Sequence, residues 1–169
     1  MRLFIAIRLS DAMRDAVRAV QEDFRRRGAQ GNFTPVENLH LTLAFIGEYP
    51  APEDALEVLS AVPFAPFDLR LQGVGAFGDL WWVGLEPCEA LTAYVRALRH
   101  ALAEAGVPFD RKRFSPHITL ARRVEGGRGV AATPPRAETR VKKVSLMRSD
   151  RGKGGMIYTE IGEVWATEA

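Results

Sequence analysis

The sequence predicts one domain built of both helices and strands, and three observations predict it. A chain of 169 residues with 47% apolar residues is long enough for one sizeable core and too short for two ordinary domains. Its apolar residues recur with period two in some stretches and near 3.6 in others, in the order strand, helix, strand, helix, two strands, helix, strand, two strands. A phrase of the first half, "HLTLAFIG" at residues 40 to 47, returns in the second as "HITLAR" at residues 117 to 122. The two halves therefore share a loose internal symmetry.

Residues 2 to 9 alternate as a strand, with Leu3, Ile5, Ile7 and Leu9 on one face. Ser10 then offers an N-cap, and Met13, Ala16, Val17, Val20 and Phe24 fall at helical spacing until Gly28 ends the segment. "GNFTPVEN" reads as a connection, residues 39 to 46 as a strand, and Gly47 with Pro50 as its close. Pro52 to about Val62 suits a short helix with proline in its first turn and Leu56 and Leu59 facing inward.

"FDLRLQGVGAFGDLWWVGLE" spells G-x-G-x-x-G at Gly73, Gly75 and Gly78. A dinucleotide-binding turn must open a helix that receives the pyrophosphate, whereas "DLWWVGL" is aromatic and alternating. The segment reads as a hairpin. Glu89 to Ala105 forms a second long helix with Leu91, Tyr94, Val95, Leu98, Ala101 and Leu102 on one stripe, and His100 falls off it as a solvated side chain. A strand at 117 to 123 follows, then the Gly/Pro-rich surface loop "EGGRGVAATPPR". "RVKKVSLMRS" and "MIYTEIGEVW" close the chain as two strands joined by "DRGKGG", which lacks the spacing and the helix of a phosphate loop.

Composition narrows the function classes. No apolar run approaches the roughly 18 residues of a membrane span, and "MRLFIAIRLS" lacks the features of a signal peptide, so a cytoplasmic location is expected. The single cysteine, Cys88, can form neither an internal disulfide nor a cysteine-based zinc site, and reads as packing. A net charge of +2 is well short of a protein that tracks many phosphates along a duplex. Basic residues cluster locally at Arg25-Arg26-Arg27, Arg111-Lys112-Arg113, Arg122-Arg123 and Arg148 to Lys153, and the second and third clusters flank the His117 strand.

On a strand, residues i and i+2 lie side by side about 6.5 to 7 Å apart. His40 and Thr42 therefore project together, as do His117 and Thr119, while Leu41, Leu43, Ile118 and Leu120 anchor the reverse face. With eight threonines in the chain, two His-x-Thr matches among three histidines is a chance event of roughly 1%. Two imidazoles that titrate near neutrality can serve as acid and base on opposite sides of a phosphorus, with the hydroxyls on its nonbridging oxygens. A zinc site would want a third strong ligand, and a serine hydrolase a G-x-S-x-G elbow; neither pattern is present. No metal and no cofactor are expected.

At these residues the chain resembles the two-histidine (2H) phosphoesterase superfamily, and within it the RNA 2′,3′-cyclic phosphodiesterases, also called 2′-5′ RNA ligases. "RLFIAI", "ENLHLTLAFIG", "DRKRFSPHITLAR" and "LMRSD…YTEIGEVW" fall in that family's order, with the two histidines 77 residues apart. The resemblance implies a fold of the α+β class with two pseudo-symmetric lobes, antiparallel sheets lining a central cleft and helices packed outside. It implies His40 as proton donor, His117 as proton acceptor, and Thr42 and Thr119 as phosphate ligands. It further implies RNA 3′ ends carrying a 2′,3′-cyclic phosphate as substrate and a 2′-phosphate as product, with the reverse ligation at the same site. Arg122 follows the second motif where relatives carry a basic residue near the phosphate, although strict alternation points it away from His117. Phe4, Phe114 and Trp81 or Trp82 are candidates for stacking a base, with core or rim packing as the competing role. A monomer without protein partners is expected. The competing functional readings are a noncatalytic RNA-end or nucleotide-binding module, and a phosphodiesterase for another small cyclic phosphate or for 2′-5′ linkages.

Overall fold

The computed structural model describes residues 1–126 and 133–167. The first strand, β1 (Arg2–Arg8), leads into helix α1 (Asp11–Arg26). Ser10 caps that helix as its side chain accepts a hydrogen bond from the Met13 amide at 3.2 Å. The apolar stripe of Met13, Ala16, Val17, Val20 and Phe24 is buried. Next come β2 (Gln30–Phe33), a 3-10 turn (Val36–Asn38), β3 (His40–Glu48), α2 (Pro52–Ala61), and the hairpin β4 (Phe67–Phe77) and β5 (Leu80–Leu85). Helix α3 (Glu89–Glu104) and β6 (His117–Glu125) follow, then β7 (Glu138–Val141), β8 (Lys143–Gly152) and β9 (Gly155–Trp165).

Every strand pair is antiparallel. One sheet has the order β3-β1-β8-β9 and the other β2-β6-β5-β4-β7. The two motif strands, β3 and β6, lie against each other and join the sheets along the cleft. Helix α1 covers the five-stranded sheet: Phe24 meets Trp81 of β5 edge-on with ring centroids 4.8 Å apart, and the Ser10 amide donates to Thr139 Oγ1 of β7 at 3.1 Å. Helices α2 and α3 pack on the four-stranded sheet through β9 and β3. The α+β class and the arrangement of antiparallel sheets with outer helices are those expected.

Three boundaries differ from expectation. "GNFTPVEN" contains all of β2 but its first residue, Gln30; the polar side chains of this strand bury nothing, its backbone pairs with β6, and Gly31 permits the approach, since a Cβ there would sit 2.9 Å from the Arg122 carbonyl oxygen. The strand expected over 140–149 is two strands in different sheets, because the chain leaves β4 at Val141, pairs with β9 from Lys143 and with β1 from Ser145 onward. Gly47, at φ +84°, lies inside β3 and does not end it. Half of the expected Gly/Pro-rich loop, residues 127–132, falls outside the described residues.

Candidate active site

Both motif histidines enter their strands by the same local device. His40 Nδ1 lies 2.6 Å from the Asn38 carbonyl oxygen, and His117 Nδ1 lies 2.6 Å from that of Ser115. A carbonyl only accepts, so each Nδ1 carries the proton and each neutral ring keeps its lone pair on Nε2. His40 Nε2 lies 2.7 Å from Thr42 Oγ1; His117 Nε2 has no hydrogen-bond partner among the described residues. Asn38 is itself held, its side-chain amide donating to the Met156 carbonyl at 2.8 Å.

Aromatic rings bracket each imidazole. Phe4 and Tyr158 lie 5.0 and 5.4 Å from His40 by ring centroid, and Phe77 and Trp82 lie 5.3 and 6.5 Å from His117.

Beyond the motifs, both strands carry a β-bulge at the same place. On β3 the partners of Ile5 and Ala6 are Ala44 and Thr42, so Leu43 is the extra residue. On β6 the partners of Trp81 and Trp82 are Ala121 and Thr119, so Leu120 is the extra residue. Each bulge resets the alternation. Phe45 on one strand and Arg122 on the other consequently join the histidines and threonines in lining one cavity of about 370 Å³. Strict alternation was therefore a wrong guide to Arg122, which faces the cleft. The repeat itself aligns "LAF" with "LAR", and that alignment is the signal by which Phe45 could have been found. Arg2, whose guanidinium lies 5.1 Å from the Phe45 ring centroid, and Tyr158 also line the cavity.

Among the aromatic candidates, Phe4 is almost fully buried beside His40 and forms part of the cavity wall. Trp81 packs on Phe24 in the core, and Phe114 lies under the Arg99 guanidinium, 5.6 Å from ring centroid to Cζ. Neither lines the cleft. Trp82 flanks His117 with its indole nitrogen buried and unpartnered.

Burial is the main influence on His40 and lowers its pKa below the ordinary histidine value; the positive fields of Arg122 and His117 add to this, while the Asn38 carbonyl opposes it. A negative ion in the cavity would counter these fields. Among the described residues no three His, Cys, Asp or Glu side chains gather closely enough to hold a metal ion. No described helix is long and apolar enough to cross a membrane.

Two antiparallel sheets joined along paired His-x-Thr strands, with both imidazoles in one cleft, define a 2H phosphoesterase fold. A family model for the 2′-5′ RNA ligase superfamily matches residues 9–153. The chain belongs to that superfamily. It is 30% identical to the RNA 2′,3′-cyclic phosphodiesterase of Methanothermobacter thermautotrophicus, over 95% of this chain and 96% of the relative. With the enzyme of the same description from Escherichia coli it shares 32% identity over 98% of this chain and 96% of the relative. The crystal structure of E. coli LigT complexed with 3′-AMP superimposes with a TM-score of 0.84 at 30% identity, covering 98% of both chains.

Proposed function

We propose that this protein hydrolyses the terminal 2′,3′-cyclic phosphate of RNA or oligonucleotides to a 2′-phosphate, by histidine acid-base catalysis that needs no metal. The observation that carries this reading is the presence, in one cavity, of two imidazoles with the same fixed tautomer beside two threonines and Arg122. The cavity has the size of a small-ligand site, for which about 300 to 1,000 Å³ is usual. The relatives' names supply the substrate class.

In this reaction His117 Nε2 takes a proton from water as its oxygen bonds to phosphorus. The bond from phosphorus to the 3′ oxygen breaks, and that oxygen receives the proton of His40. Thr42, Thr119 and Arg122 hold the nonbridging oxygens where negative charge collects. The bound diester anion favours the imidazolium of His40 and so loads the acid before it is needed. A 5′-hydroxyl in place of water gives the reverse ligation, which the far higher concentration of water opposes. The chain acts as one two-lobed domain, a monomer in the cytoplasm.

The test is incubation of the protein with an oligonucleotide ending in a 2′,3′-cyclic phosphate, in the presence of chelator, followed by phosphorus NMR. A 2′-phosphate product is expected. Unchanged substrate, a 3′-phosphate product or a strict metal requirement overturns the proposal.

A further inference from the structure

The two bulges are each held by one polar side chain from a helix. On β6, the Gln21 side-chain amide of α1 donates to the Leu120 carbonyl at 3.0 Å and to the Thr34 carbonyl at 2.9 Å. Both partners are carbonyl oxygens, which fixes the orientation of the amide and uses both of its protons. Gln21 is 2% exposed, so it has no solvent to fall back on. On β3, the Arg99 guanidinium of α3 donates from Nε and Nη2 to the Leu43 carbonyl at 3.2 and 3.1 Å, and from Nη1 to the Lys112 carbonyl at 2.7 Å.

Leu43 and Leu120 are the extra residues of the two bulges, and their carbonyls find partners outside the ladders with β1 and β5. Further hydrogen bonds tie the same places: the Thr34 amide donates to the Leu120 carbonyl at 2.9 Å, and the Asp110 amide to the Phe45 carbonyl at 2.8 Å. One residue before each bulge stands a motif threonine, and two residues after it stands Phe45 or Arg122.

We propose that Gln21 and Arg99 are positioning residues of the catalytic cleft, each locking the bulge that aims a His-x-Thr motif and the side chain after it at the phosphate. The role rests on the function proposed above. Neither residue lines the cavity, and each acts only through backbone carbonyls. A displacement of about 1 Å in a positioned group can cost on the order of 100-fold in rate.

The experiment compares wild type with Gln21→Met and Arg99→Met, which lose the donors while keeping the side-chain length in the first and the apolar stem in the second. Turnover of a 2′,3′-cyclic-phosphate-ended oligonucleotide is measured well below the melting temperature, and inorganic phosphate is titrated against the imidazole NMR signals. We expect kcat to fall about 10- to 100-fold in each variant. Phosphate affinity should fall in Gln21→Met, because Arg122 and Thr119 lose their fixed places. Arg99→Lys, which keeps one donor group, should recover part of the loss.

A purely structural role would lower the melting temperature yet leave kcat and phosphate affinity unchanged, and that result overturns the proposal. Should either methionine variant fail to fold, Arg99→Lys and Gln21→Asn decide, full activity in both being the overturning result. Wild-type protein without turnover removes the proposed reaction, and the phosphate titration still decides the positioning role. Wild-type turnover matched by undiminished variants removes the positioning role alone.

Discussion

His40 and His117 share a tautomer-fixing carbonyl two residues upstream, but their surroundings differ. His40 sits between Phe4 and Tyr158 and feels Arg122, so its imidazolium is disfavoured in the ligand-free cleft. Its NMR titration should therefore have a midpoint below the ordinary histidine value of 6.5, and should move upward when Arg122 is changed to Met or when phosphate is added. A midpoint unmoved by either would remove the electrostatic coupling. The unfolded chain takes up this proton at higher pH than the folded one, so His40 contributes stability above about pH 6.5 that is lost as the pH falls toward its folded pKa. Under the proposed chemistry, His40→Ala and His117→Ala should each lower the rate by about 10² to 10⁴ with unchanged circular dichroism, as is usual for a lost general acid or base.

At the scale of elements, the strands and helices that bury an apolar face were legible, and so were the two His-x-Thr phrases. What could not be read was whatever depends on a partner strand. A bulge is a relation between two strands, and nothing within "HITLAR" marks Leu120 as unpaired; alternation alone therefore sent Arg122 the wrong way. Strand β2 escaped notice for a similar reason, since only its backbone pairs. The G-x-G-x-x-G pattern lies in a hairpin, as expected, and its middle residue has a packing reason: a Cβ on Gly75 would overlap the Trp82 indole. Gly75→Val should cost about 1 to 3 kcal/mol in urea denaturation through overpacking. It should also lower turnover by pushing Trp82 toward His117, 6.5 Å away. Unaltered stability would show that the ring has somewhere else to go.

Across the whole molecule, the connections cross between sheets. Helix α1 follows β1 of the four-stranded sheet yet covers the five-stranded one, and α3 follows β5 of the five-stranded sheet yet packs on β3 of the other. One continuous apolar cluster contains buried residues of both sheets and of α1, α2 and α3. Neither lobe owns a complete core, so heat or denaturant should unfold both in one transition, with near- and far-UV circular dichroism coinciding. Separate transitions would mean that the lobes are independent. The internal repeat made the twofold relation of the halves readable in advance, whereas the exchange of helices between them depends on chain crossings that no local pattern records. That relation is broken at one place that matters for a ligand, where Phe45 on one strand answers Arg122 on the other. A pocket with identical halves would admit its guest equally well in either direction, and half of all encounters would be wasted. Under the proposed chemistry, the difference between Phe45 on one strand and Arg122 on the other would give the pocket polarity, and with it a rule for which ester oxygen departs.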